Sequence, residues 1–198
     1  MPRLTAKTAA ARRQRIVAAA LGEFARHGFD KTTMSDVCRA AGLSPGAVYC
    51  WFESKEDIAI AVARERHARE RALIEAAFRT KKKPRAALEA FVDAYFDWLA
   101  SPGEKKRRRV NVEIWSKALH DRRLHRAVVD EGIGQRRLAL PLVRRGRNGR
   151  HRDVHDDTLA RILIALIQGI VLQQAWEPDL DLEPFRRAVH AIVATFIE

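Results

Sequence analysis

Apolar residues recur every three or four positions along most of this chain, and no window alternates apolar and polar residues at the period of a strand. The early and central apolar positions are Ile16, Leu21, Phe24, Leu88, Phe91, Val92, Tyr95, Phe96, Leu99, Val112, Trp115, Ala118 and Leu119. Two further stripes near the C-terminus are Leu159, Leu163, Leu166, Ile170 and Leu182, Phe185, Val189, Ile192, Phe196. The pattern predicts an all-α fold.

Charged and turn-forming residues predict where these helices are interrupted. The first helical block spans about residues 10–80 and ends at a Lys-Lys-Lys-Pro sequence over residues 81–84. The next break is expected at Ser101–Gly103 together with the basic run of residues 105–109, and a third at residues 146–152. No internal repeat is present.

A capping box marks the start of a short helix within the first block. Thr33 followed by Asp36 can satisfy the free N–H groups of a helix that runs from Met34 to about Ala41. Gly42 then ends this helix, because glycine adopts the left-handed conformation that closes a helix.

Two more capping signals follow within a few residues. Ser44 with Pro45 predicts the start of a second short helix, extending to Phe52. Ser54 with Asp57 repeats the capping box and predicts a longer helix that runs towards residue 81. Two short helices joined by a glycine-containing turn make a helix-turn-helix, whose second helix fits the major groove of DNA.

The residues of this region resemble the N-terminal DNA-binding domain of the tetracycline-repressor (TetR) family. Those that carry the resemblance are Ile16, Ala20, Phe24, Gly28, Thr32, Thr33, Val37, Ala41, Gly42, Leu43, Ser44, Tyr49, Phe52, Ser54, Lys55 and Glu56. Residues 115–140 and 159–196 are similar to the C-terminal domain of the choline-operon repressor branch of that family. That branch tends to place an acidic residue before the glycine of its penultimate helix, where this chain has Gln168.

The resemblance implies a transcriptional repressor that binds a near-palindromic DNA operator as a homodimer and releases it when a small effector binds. It divides the chain into a helix-turn-helix DNA-binding domain, residues 10–62, and a ligand-binding and dimerisation domain, residues 63–198. The alternative is an effector-independent or architectural DNA-binding protein whose C-terminal domain only dimerises.

The second short helix is expected to face the groove. Gly46 and Ala47 allow the backbone to approach the bases, Tyr49 can donate its hydroxyl to a phosphate, and Lys55 can hold the same strand. The predicted DNA-binding residues are Thr33, Ser35, Ser44, Pro45, Gly46, Ala47, Tyr49, Cys50 and Lys55. Because residues 44–52 contain no Arg, Lys, Asn or Gln, readout from this helix is expected to be mostly apolar. Phe52 is expected in the core.

The formal net charge of +12 agrees with a polyanionic partner. A basic N-terminal segment, residues 3–15, is interpreted either as an arm for the minor groove or as a solvated tail. The basic run of residues 105–109 and the arginines of residues 122–152 are expected to form solvated faces.

Aromatic residues of the C-terminal half suggest an effector pocket, for which a solid aromatic core is the alternative. The predicted ligand-binding residues are Phe91, Tyr95, Trp98, Trp115 and Gln168. Asp93 and Asp97 lie on the opposite side of their helix and are expected to face solvent. Without a buried charge in the walls, the effector is expected to be neutral or lipophilic, with a caged quaternary ammonium as the other possibility.

The two C-terminal stripes are expected to form the dimer interface, as a four-helix bundle from two copies. The alternative is that they pack within one chain against the helix of residues 91–99.

The sequence lacks the motifs that would indicate other classes of protein. The sequence contains none of the enzyme motifs GxSxG, HExxH or a glycine-rich phosphate loop, so neither an enzyme nor a cofactor is predicted. His151 and His155 beside Asp153 have a spacing found in metal sites but lie in an arginine-rich loop, so no metal is predicted. Cys38 is expected in the core, and a redox role of Cys50 remains open. No signal peptide or membrane span is recognised, and the protein is expected to be cytoplasmic.

Overall fold

A computed structural model describes residues 6–80, 83–147 and 153–197. The helices are α1 (Ala6–His27), α2 (Met34–Ala41), α3 (Pro45–Tyr49), α4 (Lys55–Thr80), α5 (Pro84–Ala100), α6 (Pro102–Ala118), α7 (Arg122–Gly146), α8 (Asp156–Trp176) and α9 (Glu183–Phe196). Over the described ranges there is no strand, and the one extended pairing is an isolated bridge between Arg147 and Ile197. The all-α prediction is confirmed.

The caps of the helix-turn-helix have the predicted geometry. The Asp36 amide donates to the Thr33 hydroxyl at 3.2 Å, and the Thr33 amide donates to the Asp36 carboxylate at 3.0 Å, which completes the capping box of α2. Gly42 ends α2 with φ of 58°, in the left-handed region. The Ser44 hydroxyl accepts from the Ala47 amide at 3.4 Å and caps α3, which ends at Tyr49, three residues before the expected end.

The basic run of residues 105–109 does not interrupt the chain, contrary to the expectation. The break is confined to Ser101, and α6 begins at Pro102, because proline favours the first helical turn and Lys and Arg are good helix formers. Nor is the run wholly solvated: Arg108 is buried and donates to the Leu99 carbonyl at 2.9 Å. The N-terminal basic segment is likewise helical from Ala6 onwards, whereas Arg3 lies outside the described residues.

The chain divides into two compact units. The first unit contains the chain up to Glu65 together with Arg109–Val128, and the second contains Arg66–Arg108 and Val129–Glu198. The apolar core of the first unit includes residues of α1–α4 and, from the later segment, Val110, Ile114, Ala118 and Leu124. Residues 109–128 thus belong to the first unit, whereas the expected domain limits of 10–62 and 63–198 assign them to the C-terminal domain.

In the second unit, α9 packs against α5 and buries Val189 and Val193. For the side of α9 that carries Val189 and Val193, this agrees with the alternative that the last stripe packs within one chain. Among the described helices, α8 alone, with 21 residues, is long and apolar enough to span a membrane. Core helices of globular proteins have the same length and apolar character.

Candidate nucleic-acid interface and the buried charge network

The short helix α3 has one anchored side and one open side. Val48 is completely buried and fixes α3 to the core of the first unit. Tyr49 is 50% exposed, and a Cβ added at Gly46 would meet no atom within 4 Å. A backbone this accessible can approach a DNA groove closely.

The structure places most of the predicted DNA-binding residues at the surface. Those that are exposed are Thr33, Ser35, Ser44, Pro45, Gly46, Tyr49 and Cys50, whereas Ala47 and Lys55 are partly buried. Phe52 and Cys38 are buried, as expected. The DNA-binding roles of all nine residues stay predictions.

The capping hydroxyls are already engaged in the free protein. The Thr33 hydroxyl donates to Asp36 at 2.6 Å while it accepts from the Asp36 amide, and Ser44 accepts from Ala47. The hydrogen bonds from Thr33 also lower the pKa of Asp36 below its usual value, with a smaller contribution from the charge of Arg39. Both hydroxyls therefore hold helix ends whether or not DNA is bound.

Lys55 has a different environment from the one expected. Its ammonium donates to the carbonyls of Phe29 and Asp30 at 3.0 Å each and of Thr32 at 3.3 Å. It also lies 4.7 Å from the centre of the Phe29 ring. The three N–H donors are thus directed at the loop between α1 and α2, and not at solvent.

Two residues that the sequence pattern did not single out hold the same loop. Glu113 accepts the Phe29 amide at 2.7 Å, and Lys117 pairs with Asp30 at 2.8 Å. Both come from α6 and lie more than eighty residues further along the chain. Helical periodicity places them on a polar face of α6 but contains no signal for their partner.

The predicted ligand-binding residues do not share one environment. Phe91, Tyr95 and Trp98 form a row of aromatic contacts in the second unit, with ring centres 5.6 and 5.3 Å apart. Gln168 is exposed on α8, which excludes it from the buried region around Tyr95. Trp115 is partly buried and belongs to the first unit.

A buried charge network surrounds Tyr95 and corrects the expectation of walls without charge. The Tyr95 hydroxyl accepts from Arg66 at 3.0 Å and donates to Glu70 at 3.2 Å. Arg66 also pairs with Glu104 and stacks 4.8 Å from the centre of the Trp98 ring. The expectation failed because Arg66, Glu70 and Glu104 come from α4 and α6, which the pattern of α5 does not reveal.

His67 extends this network to α7. Its two ring nitrogens face Glu70 at 3.0 Å and Glu131 at 2.6 Å, and Gln135 donates to Glu70 at 2.8 Å. Burial disfavours the charged ring, but hydrogen bonds to Glu131 and Glu70 outweigh it and raise the pKa of His67 to about 9. The imidazolium form therefore donates to both carboxylates at neutral pH.

Outside the network, Asp93 and Asp97 of α5 are accessible, as expected, and both form ion pairs with basic residues of α9. Arg186 lies 3.7 Å from Asp93 and 2.6 Å from Asp97, and His190 lies 2.8 Å from Asp93. No cluster of three metal-binding side chains occurs among the residues that the structure describes, and His151 is not one of them.

Comparison with known families identifies the architecture. The profile described as "Bacterial regulatory proteins, tetR family" matches residues 16–62, and that described as "BetI-type transcriptional repressor, C-terminal" matches residues 84–198, more than half of the chain. The chain belongs to the TetR family. TetR-family proteins are transcriptional regulators and not enzymes, and this chain is a DNA-binding transcriptional repressor of that type.

Relatives and solved structures agree with the TetR assignment. The chain is 27% identical to the HTH-type transcriptional repressor Rv1474c of Mycobacterium tuberculosis over 181 residues, and the aligned region covers 90% of each chain. A regulator from Saccharomonospora viridis in complex with choline has a TM-score of 0.78 at 21% identity, over 96% of this chain and 99% of that one. FadR from Bacillus subtilis in complex with stearoyl-CoA also has a TM-score of 0.78, at 19% identity, over 91% and 96%.

The raised pKa of His67 predicts a pH-dependent stability of this TetR-family fold. The folded-state pKa of about 9 lies above the ordinary 6.5, so the contribution of His67 is complete below pH 6.5 and is lost as the pH rises through 9. Urea unfolding of wild type should show a decline in the free energy of unfolding over this interval that is smaller in His67→Gln. His125→Gln, at an exposed position on α7, is the control. Parallel pH profiles for wild type and His67→Gln would contradict the assignment.

Proposed function

We propose that this repressor binds a near-palindromic operator as a homodimer and releases it when a small effector binds in the second unit. The observation that supports operator binding is the open face of α3, held in place by capped helix ends and by buried Val48. Two such helices in a dimer suit successive major grooves. This function takes place in the cytoplasm.

Sequence readout by α3 rests on small groups. Pro45 and Ala47 offer apolar contacts to thymine methyls, and Cys50 is a small exposed group at the end of the helix. None of these side chains can make the paired hydrogen bonds that distinguish guanine or adenine. Shape and deformability of the operator therefore supply a large part of the specificity.

Operator binding predicts a defined footprint. A selected duplex should show two protected half-sites about 34–36 Å apart, one helical turn, or a multiple of that spacing. Tyr49→Phe should weaken binding by roughly 5-fold on all sequences alike, because it removes one hydrogen bond of about 1 kcal/mol to a phosphate. Val129→Ala, which changes an exposed residue of the second unit on α7, should bind like wild type. Absence of any selected duplex would reject operator binding itself.

The homodimer is proposed to form through α8. Leu159 and Ile170 are buried within the second unit, whereas Ile162 is 45% exposed and Leu166 is partly exposed. This side of an apolar helix is available for a second copy, and α9 is already packed on α5 along its Val189–Val193 side.

A charged residue on the Ile162–Leu166 side of α8 should prevent the two protomers from associating. Leu166→Glu is expected to sediment as a folded monomer and to lose cooperative binding to a two-half-site operator, because a carboxylate cannot be buried in an apolar seam without a partner. Leu119→Glu introduces the same charge at an exposed leucine of the first unit and should remain dimeric. A dimeric, folded Leu166→Glu would exclude this surface.

The charge network changes the proposed chemistry of the effector. Arg66, Glu70 and Glu104 lie beside the Phe91–Tyr95–Trp98 row and pair with one another, so a wholly apolar molecule that displaced these contacts would leave charged groups without partners. We propose instead an aromatic-sized effector with a polar or charged group that pairs with this network. Choline and stearoyl-CoA, the ligands of the two structural neighbours, differ too much to define that group.

The alternative of an effector-independent repressor draws support from the same contacts. Arg66 occupies the Trp98 face and, with Glu70, satisfies the Tyr95 hydroxyl without any ligand. Only a ligand that offers better partners than these can open the network. The two functions differ in whether any small molecule lowers operator affinity.

Effector binding should be visible through Trp98. Compounds that release the operator should also change tryptophan fluorescence, and Trp98→Phe should reduce that change, since Trp98 lies against Arg66. For the fluorescence change, the control is Trp176→Phe, which removes a tryptophan that is exposed at the end of α8. A screen in which only uncharged, purely apolar compounds release the operator would contradict the polar effector, and a screen in which no compound does would favour the effector-independent function.

A further inference from the structure

The loop of residues 28–32 fixes where the helix-turn-helix begins. It follows α1 directly and is followed by Thr33, the N-cap of α2. Gly28 has φ of 82°, and the Phe29 ring is buried 5.1 Å from that of Phe24. The Thr32 hydroxyl donates to the Gly28 carbonyl at 2.8 Å, so the loop has one internal hydrogen bond of its own.

Most of the remaining loop contacts come from distant helices of the same unit. Lys55 of α4 supplies an ammonium to three loop carbonyls, at residues 29, 30 and 32. This cation neutralises the partial negative charge of three carbonyl oxygens that converge on one point. The position of the loop is thereby tied to the first turn of α4.

Glu113 of α6 binds a backbone N–H group of the loop. Its carboxylate accepts the Phe29 amide at 2.7 Å and lies 3.6 Å from the position that a Cβ on Gly28 would take. The other oxygen accepts from Arg109 at 3.1 Å, which orients the carboxylate. Lys117, one turn further along α6, pairs with Asp30 at 2.8 Å.

We infer that Glu113 and Lys55 are positioning residues for DNA binding, which together clamp the loop of residues 28–32 and so set the placement of α2 and α3. Neither side chain needs to touch DNA for this role. The inference rests on the proposed operator binding, and it replaces the direct phosphate contact first expected of Lys55.

Charge and geometry predict opposite results for Glu113. Glu113→Ala raises the net charge by one, which by itself strengthens binding to a polyanion. Loss of the clamp instead lowers operator affinity by about 10-fold, the size expected when a charge-assisted hydrogen bond is lost. Glu89→Ala is the matched control, since it removes an accessible carboxylate from α5 in the second unit.

Rescue and salt dependence separate positioning from a direct contact. Glu113→Gln keeps an oxygen that accepts the Phe29 amide and should retain most of the affinity. Lys55→Met should weaken operator binding without changing the slope of log K against log salt, whereas loss of a phosphate contact would reduce that slope by about 0.9. Lys106→Met, at an exposed position on α6, controls for the lost charge. The double variant should lose less affinity than the sum of the two single losses, because both residues hold one loop.

Amide hydrogen exchange tests the clamp without DNA. Faster exchange at Phe29 in folded Glu113→Ala than in Glu89→Ala is expected, and equal exchange would overturn the clamp even if no operator were known. With an operator in hand, wild-type affinity in Glu113→Ala would overturn the role of Glu113, and a reduced salt slope in Lys55→Met would overturn that of Lys55. A wild-type protein that binds no duplex would reject the proposed function, while the exchange result would still decide the clamp.

Discussion

The DNA-binding unit depends on the satisfaction of backbone groups at helix ends. A helix leaves its first four N–H and last four C=O groups without internal partners. With eight residues in α2 and five in α3, most of the backbone in this region is terminal. Thr33, Ser44 and Gly42 supply the missing partners or conformations locally, and Lys55 does so for the loop that precedes them. Polar side chains therefore determine the shape of a unit whose core is apolar.

Local signals explain how much of this was predictable. The capping box, the left-handed glycine and the Ser-Pro helix start each act within four residues, so the sequence specifies α2 and its turn correctly. Contacts such as that between Glu113 and Phe29 join residues 84 positions apart in the chain and depend on tertiary packing, which periodicity does not encode. For the same reason the pattern of α5 correctly gave its aromatic row but missed the charges that α4 and α6 place beside it.

Basic residues in this chain serve two purposes that composition cannot separate. The net charge of +12 favours association with a polyanion. Yet Arg66 and Arg108 are buried, and Lys55 directs its ammonium to backbone carbonyls. A cation in a run of similar residues can thus be an internal structural group, and only its packing distinguishes it from a neighbour that meets solvent.

The network of Arg66 with Glu70, Glu104 and Tyr95 constrains how this protein can diverge. Buried ion pairs add little net stability over well-packed apolar residues, but loss of one partner leaves an uncompensated charge and costs about 3–5 kcal/mol. Single substitutions here should therefore destabilise the fold more than coordinated replacement of the whole set by apolar residues. Related chains should consequently either keep all these residues or exchange them together, and a new effector specificity at this place would arise by a concerted change of several codons.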